Sequence, residues 1–201
     1  MATVGSKRRM RAPERRKQLL EVARRVFGGR GYHTVTMDDI ARESGVTKPI
    51  LYDHFPSKRD LYRALLEADL ENLRQRVVDA LESSPGNRER IRASFQAYFD
   101  FVDEEGEGFR LLMQESVGAE REFQEMVFRF RADVLDEVTK VLVRESRGNL
   151  DEKEAADVAL GLVGMVEMVA QREPSASKRE RARTVDTLVR LAWRGITGLK
   201  D

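Results

Sequence analysis

The chain has 201 residues, of which 41% are hydrophobic and 35% charged, so it is long enough to bury a sizeable core. It contains no cysteine, which excludes disulfides and thiolate metal sites, and its two histidines alone make a poor metal site. We therefore expect neither a metal nor a cofactor.

The formal net charge of +1 conceals an asymmetry between two parts of the chain. Residues 1–64 carry 15 Lys and Arg against 7 Asp and Glu, whereas residues 65–201 carry 21 against 28. A basic first part and an acidic remainder favour a polyanionic partner that binds at one end only.

No segment has the length of a membrane span. The longest apolar run, Val158 to Ala170, has 13 residues and contains Glu167, whereas a transmembrane helix needs about 20. The basic start is not followed by the apolar stretch of a secretory signal. We therefore expect a cytoplasmic protein that does not contact a membrane.

Residues 1–12 show no apolar periodicity and are expected to be disordered without DNA. Their basic side chains can follow a DNA backbone or enter a minor groove, as N-terminal arms do. A solvated tail is the alternative. The candidate arm residues are Lys7, Arg8, Arg9 and Arg11.

The first predicted helix opens at Pro13, a position where proline is tolerated. Its inner stripe recurs at three-to-four spacing and includes Leu19, Ala23 and Phe27. The glycines of residues 28–31 end it. They do not form a phosphate-binding loop, because the spacing and the preceding strand of such loops are missing.

Residues 36–58 read as two short helices joined by a tight turn. Thr36 and Asp39 have the spacing of a capping box, and Gly45 accepts the positive φ that ends the first helix. Thr47 is a second N-cap. Leu51 and Phe55, four residues apart, point inward. This is a helix-turn-helix whose second helix has the size that enters a DNA major groove.

These residues, TMDDIARESGVTKPILYDHFPSKRDLY, resemble the DNA-binding domain of the TetR family of one-component transcriptional regulators. With LLEVARRVFGGRGYHTVT upstream, the match covers residues 15 to 66. The resemblance implies an all-α protein. A three-helix DNA-binding head with the helix-turn-helix (residues 1–64) is linked by a long fourth helix to a helical ligand-binding and dimerisation body (residues 65–201).

The resemblance also assigns the DNA contacts. The recognition helix would line the groove, and residues at the flanking helix starts would contact phosphates. Lysine can donate to guanine, isoleucine can meet a thymine methyl group, and Thr or Tyr hydroxyls can bond phosphate oxygens. The candidate DNA-binding residues are Thr36, Thr47, Lys48, Pro49, Ile50, Tyr52, His54 and Lys58. Core packing is the alternative for Tyr52.

Asp53 is unfavourable beside a polyanion, because its carboxylate would face phosphates. Three partners can neutralise or use it: Lys48, Arg42 or the amino group of a cytosine. The sequence leaves these three open.

The fourth helix is predicted over residues 58–82 and ends at the breaker of residues 83–87. It would be the only rigid connection from head to body. Five further helices are expected near residues 88–104, 107–116, 119–146, 151–172 and 175–199, with Gly106 and Gly108 as a break.

The segment DVALGLVGMVEMVA is apolar nearly all round, so it should be buried on two sides. The resemblance implies that the last two helices form a four-helix bundle with their symmetry mates. A homodimer with a twofold axis suits a palindromic operator of double-stranded DNA.

Aromatic and methionine side chains of the body are candidates for an adaptable apolar pocket. For each of them, plain core packing is the alternative. Glu167 is either a polar group of this pocket or an interface residue with an arginine partner. The candidate ligand-binding residues are Phe95, Tyr98, Phe99, Phe109, Leu112, Met113, Met126, Phe130, Met165 and Met168.

Two body segments, FDFVDEEGEGFRLLMQES and ALGLVGMVE, resemble actinobacterial TetR-type regulators of fatty-acid synthesis, which sense long-chain acyl-CoA. In those proteins an aromatic-rich run follows the equivalent of Met168, whereas here the run is AQREPSASKRER. The implied function is a repressor with an apolar effector such as a fatty acyl compound. An acyl-CoA-dependent activator and a constitutive, ligand-free DNA-binding protein remain open. No nucleophile–base pair or cofactor motif indicates an enzyme.

Overall fold

The computed structural model describes the backbone of residues 10–118, 120–172 and 177–198, and the side chains of residues 10–105, 120–170 and 177–194. In these ranges the chain forms eight α-helices and no strand, so the predicted all-α fold is confirmed. None of the described helices combines the length and apolarity that crossing a bilayer requires. The helices are α1 Ala12–Arg30, α2 Met37–Ser44, α3 Lys48–His54, α4 Lys58–Ser83, α5 Asn87–Gly118, α6 Arg121–Ser146, α7 Glu152–Arg172 and α8 Lys178–Gly198.

Helices α1–α3, which we call the head, form a small three-helix unit. The capping box at the start of α2 is present, since the Asp39 amide donates to Thr36 Oγ1 (3.2 Å) and the Thr36 amide donates to Asp39 Oδ2 (3.0 Å). Gly45 ends α2 in the left-handed region at φ 64°. Leu51 and Phe55 are buried, as predicted, so α3 has one inward and one outward face.

Helices α5–α8, which we call the body, pack around α4. Helices α5 and α6 lie against α4, α7 packs on α6, and α8 packs on α5. The apolar face of α4 supplies Leu65, Leu73 and Val77 to the core.

The predicted break at Gly106 and Gly108 is wrong, because the backbone of α5 is helical from Asn87 to Gly118. An interior glycine costs a helix about 1 kcal/mol. Helix α5 packs against α1, α4, α6 and α8, and this tertiary packing outweighs the local preference.

The expectation that α4 is the only rigid connection between head and body is also wrong. Arg24 of α1 donates through Nε to Asp69 Oδ2 of α4 (3.0 Å), and its Nη1 lies 2.5 Å from Glu105 Oε2 of α5. Asp69 is only 1% exposed, and burial raises the pKa of its carboxyl although Arg24 opposes this. A second connection, at the start of α6, is described below.

Candidate nucleic-acid interface and effector cavity

The outward face of α3 presents a small set of exposed side chains opposite Leu51. Ile50 is 40% exposed and Tyr52 is 45% exposed. Lys48 and Pro49 lie on the same exposed side, and His54 is half-buried at the helix end. Tyr52 is therefore a surface residue, and core packing, the alternative for it, is excluded.

Lys48 is held by a neighbour on α2. Its Nζ lies 2.7 Å from Asp38 Oδ2, and this hydrogen bond raises the pKa of the lysine. Both side chains remain more than half exposed. The ammonium group is thus charged and accessible on the outward face of the head.

Asp39, the capping residue of α2, also binds two arginines. Arg42 Nη2 lies 2.6 Å and Arg30 Nη1 lies 3.2 Å from Asp39 Oδ1. Hydrogen bonds from Thr36, and then those from the two arginines, hold the pKa of Asp39 well below its ordinary value. Lys48 and Arg42, two of the three partners that the sequence leaves open for Asp53, each pair with another carboxylate instead.

Two predicted phosphate-contacting residues have partners inside the protein. Lys58 Nζ donates to the carbonyl oxygens of Tyr32 (2.9 Å) and Val35 (3.0 Å) and lies 4.5 Å from the centre of the Tyr32 ring. Thr36 Oγ1 donates to Asp39 Oδ2 (2.7 Å). The Lys58 ammonium also lies 3.5 Å from the His33 carbonyl oxygen, so all three of its N–H groups have acceptors. A phosphate contact by either side chain would have to replace one of these bonds.

The Thr47 side chain, in contrast, is exposed and makes no capping hydrogen bond although Thr47 occupies the N-cap of α3. Its hydroxyl is therefore available to a partner. In the predicted arm, Arg11 is the exposed N-cap of α1, and its amide donates to Glu14 Oε2 (3.1 Å). Lys7, Arg8 and Arg9 lie outside the described residues.

A narrow apolar cavity of about 50 Å³ lies between α4, α5, α6 and α7. Three predicted ligand-binding residues, Phe95, Tyr98 and Phe130, line it. The remaining lining consists of Glu167, which the sequence singles out, and of Ser94 and aliphatic side chains, which sequence reasoning missed. The missed lining residues are Leu73, Val77, Ile91, Ser94, Val134, Val138, Leu162, Val163 and Val166.

Tyr98 and Glu167 give this cavity its polar groups. Tyr98 is 8% exposed, and within the described part of the chain its hydroxyl has no hydrogen-bond partner. Burial raises its pKa, and the nearby Glu167 carboxylate adds to the effect. Glu167 lines the cavity and lies 3.2 Å from Arg131 Nε, so it is a cavity residue with an arginine partner in the same chain.

Four other predicted ligand-binding residues do not line this cavity. Met126 lies in a surface groove between α4 and α6, and Phe99 is buried beneath the Arg181 guanidinium. Met165 is half-buried against the core, and Met168 is 67% exposed. The inward face of α7 follows the three-to-four spacing of Ala155, Ala159, Leu162, Val166 and Ala170, which would have placed both methionines outside the cavity. The side chains of Phe109, Leu112 and Met113 lie outside the described residues.

A second apolar cavity, of about 80 Å³, lies beside the first. Trp193 and Leu142 line it, and it shares Ile91 and Val138 with the first cavity. The two spaces are thus separated by side chains that belong to both.

The start of α6 is bonded to the loop between α1 and α2 and to the first turns of α4. Tyr32 Oη donates to Glu120 Oε1 (3.1 Å), and Arg59 Nε lies 3.0 Å from Glu120 Oε2. Glu122 accepts from Arg59 Nε (2.8 Å) and Arg63 Nε (2.5 Å). Burial and the Glu120 carboxylate raise the pKa of Tyr32 to about 12, whereas the arginines lower that of Glu122.

Beneath these polar contacts lies an aromatic cluster. Phe123 of α6 is fully buried, with its ring centre 4.7 Å from that of Tyr62 and 5.6 Å from that of Tyr32. The same helix lines the cavity with Phe130, so α6 touches both the cavity and the loop that precedes α2. We call Glu120, Glu122 and Phe123, with their partners, the α6 bridge.

Comparison with known proteins agrees with this architecture. Residues 19–65 match the family model of bacterial regulatory proteins of the tetR family, and residues 87–195 match that of the tetracyclin repressor-like C-terminal domain. The transcriptional activator FasR of Mycolicibacterium smegmatis is 36% identical over 196 residues, which are 96% of this chain and 89% of that protein. This match extends the likeness to actinobacterial regulators over nearly the whole chain.

Other relatives match less of the chain or share less sequence. The transcriptional repressor KstR2 of Mycobacterium tuberculosis is 36% identical over 89 residues, 44% of each chain. The structure of a TetR-like regulator from Rhodococcus sp. RHA1 superposes with a TM-score of 0.77 at 26% identity, covering 94% of this chain and all of that one. AibR, solved with isovaleryl coenzyme A and operator DNA, shares the fold (TM-score 0.71, 20% identity, 88% and 96% covered).

Proposed function

Because the chain belongs to the TetR family of helix-turn-helix transcriptional regulators, we propose that it binds a palindromic operator as a homodimer and responds to an apolar effector. It is a DNA-binding regulator and not an enzyme. In the proposed division of labour, residues 1–64 bind DNA and residues 65–201 bind the effector and form the dimer.

The observation that carries the proposal is the outward face of α3. It exposes Lys48, Ile50 and Tyr52 on a basic head, and it has the length of a helix that enters the major groove. Lys48 is proposed to donate to guanine and Ile50 to meet a thymine methyl group. Tyr52 and Thr47 are proposed to bond phosphate oxygens.

The experiment compares operator affinity of exposed-residue variants by fluorescence anisotropy at one fixed salt concentration. We expect Lys48→Ala and Tyr52→Ala each to weaken binding by about 1–3 kcal/mol without a change in melting temperature, because neither side chain is in the core. Lys153→Ala, an exposed lysine on α7, is the control. Unchanged affinity in both head variants would remove α3 from the interface.

The cavity supports the proposed effector class. Its lining is apolar except for Ser94, Tyr98 and Glu167, and two cavities that share Ile91 and Val138 suit an extended apolar chain with a polar group near the Tyr98 hydroxyl. Ligand pockets usually measure 300–1,000 Å³, so the effector must push these side chains apart. The resemblance to regulators of fatty-acid synthesis makes fatty acyl compounds the first candidates.

A thermal-melt series tests the effector. Fatty acids and acyl-CoA thioesters of increasing chain length should raise the melting temperature of the wild type, because a ligand that binds only the folded state stabilises it. Val166→Trp, which fills the cavity, should abolish the shift. A panel without any shift would favour the constitutive, ligand-free alternative.

Two exposed surfaces support the proposed homodimer. Leu160 and Met168 are exposed on α7 and Leu191 on α8, on faces turned away from the core. A Cβ atom added at Gly161 or Gly164 would meet nothing within 4 Å in the same chain, so a partner helix has room to approach. Such a dimer would carry two heads.

The direction of control has two candidates. Repression is the expectation from the sequence. Activation is favoured by FasR, which is called an activator and matches nearly the whole chain, whereas the KstR2 repressor matches 44% of it. In vitro transcription from the bound promoter distinguishes them by the sign of the change.

A further inference from the structure

Asp53 occupies the most outward position of α3. It lies two residues from Leu51 and two from Phe55, and both of these are buried, so a rotation of 100° per residue turns Asp53 away from the core. Its side chain is exposed. When α3 enters a major groove with its outward face towards the bases, the Asp53 carboxylate lies at the centre of the groove.

The structure removes two of the three partners that the sequence allows. Lys48 is paired with Asp38 at 2.7 Å, and Arg42 with Asp39 at 2.6 Å. Across the side chains that the structure describes, the Asp53 carboxylate has neither an ion pair nor a hydrogen bond. Among the partners that the sequence leaves open for Asp53, the cytosine amino group is the one that this part of the structure does not remove.

Major-groove chemistry restricts that partner. A carboxylate only accepts hydrogen bonds, and phosphates and the acceptor atoms of guanine repel it. Adenine places the acceptor N7 beside its amino group, whereas cytosine presents its N4 amino group without a neighbouring acceptor on the same base. Cytosine is accordingly the base edge that an aspartate reads.

We propose that Asp53 is a specificity-determining residue that accepts a hydrogen bond from N4 of a cytosine at one fixed position in each operator half-site. This inference rests on the proposed placement of α3 in the major groove. At a guanine or thymine edge the carboxylate meets acceptors and no donor, so Asp53 rejects such non-cognate DNA as well as selecting cognate DNA.

If Asp53 reads a cytosine, its substitution changes the DNA specificity of the protein, which a purely structural role of Asp53 would not predict. Asp53→Asn keeps the size of the side chain but adds donors and removes the charge. Discrimination between the cytosine and a substituted base should fall roughly 5- to 150-fold, while affinity for non-cognate duplex should rise, most strongly at low salt. Specific and non-specific binding therefore change in opposite directions.

The experiment is selection from a random duplex library, followed by anisotropy on the selected operator and on one with the C·G pair replaced by T·A. Wild type, Asp53→Asn and Asp53→Ala are compared with Asp157→Asn, an exposed aspartate on α7. Wild type and Asp157→Asn should select an invariant cytosine in each half-site. Both Asp53 variants should lose the preference at that position alone and keep the rest of the motif.

Two results overturn the inference and leave the proposed function intact: a wild-type motif without an invariant cytosine, or an identical motif for wild type and Asp53→Asn. A wild type that selects no motif at all overturns the proposed function and the inference with it. A melting temperature equal to that of the wild type shows that the variants are folded.

Discussion

Arg24 forms the ion pairs that join α1 to α4 and α5. Its guanidinium faces two carboxylates, Asp69 and Glu105, and burial raises the pKa of both. An acid whose pKa is raised in the folded state binds more protons folded than unfolded. Its contribution to stability therefore grows as the pH falls towards the unfolded pKa, near 4.

We predict that Arg24→Gln lowers the free energy of unfolding by about 3–5 kcal/mol at pH 7, because it leaves Asp69 buried without its counter-ion. The loss should shrink between pH 7 and pH 5, since protonation of Asp69 removes the buried charge. Urea denaturation at several pH values measures this. The matched control is Arg25→Gln, whose side chain is exposed on the same helix and should cost less than about 0.5 kcal/mol. A loss that grows towards pH 5 would contradict this account of the cluster.

The pKa of Asp39 is shifted in the opposite direction, so its contribution to stability has the opposite pH dependence. Its pKa is lowered in the folded state, so the stability that its carboxylate contributes is present above the unfolded pKa and is lost as the pH falls below about 4. The cap of α2 and the Arg24 cluster thus respond to acid in opposite directions.

Among the elements, α6 joins the cavity to the head. Its Phe130 and Val134 line the cavity, and its first residues form the α6 bridge to Tyr32, Arg59 and Arg63. An effector that pushes the cavity walls apart would move α6 and, through the bridge, the loop before α2. A ligand shifts such an equilibrium only by its difference in affinity for the two states.

Glu122→Gln tests this coupling, because an amide cannot neutralise the two guanidinium groups that Glu122 now faces. We predict faster amide hydrogen exchange in residues 31–44 and little change elsewhere, measured by mass spectrometry. Glu125→Gln is the control, since within the described side chains the Glu125 carboxylate pairs with Arg121 alone, one turn away on the same helix. Exchange in the head equal to that of the wild type would show that the ion pairs of Glu122 carry no coupling.

The elements differ in how far the sequence predicts them. The cap of α2, the turn at Gly45 and the inward face of α3 depend on residues a few positions apart, and their predictions are confirmed. The hydrogen bond between Tyr32 and Glu120 joins residues that are 88 positions apart in the sequence, and no local sequence pattern predicts it. Helix α5 continues through Gly106 because of tertiary packing, which the helix propensities of single residues do not include. The lining of the cavity could be predicted only in part, because sequence reasoning favoured aromatic and methionine residues. Phe95, Tyr98 and Phe130 line the cavity, but aliphatic residues make up most of its wall.

For the whole molecule, the proposed dimer places charge and apolar surface at different ends. The head carries the basic excess, whereas exposed apolar residues of α7 and α8 lie on the body. Two heads on one dimer give each half-site of a palindrome its own α3.

We predict that the double variant Leu160→Glu with Met168→Glu shifts the protein from twice the 23.0 kDa of one chain towards a monomer, measured by light scattering after size-exclusion chromatography. Both residues are exposed within one chain, so the variant should remain folded. Phe128→Glu, on α6, is the control, because Phe128 is 73% exposed but lies outside the proposed face. A dimer that survives the double variant would place the interface elsewhere.

The central claim is that two copies of α3 bind one operator. The most direct test is hydroxyl-radical footprinting of the wild-type protein on a duplex selected from its own genome. The account predicts two protected segments related by a dyad, with centres about 10 base pairs or a multiple of one turn apart, and protection that weakens as salt is raised. A single protected segment, or no protection at low salt, would contradict it.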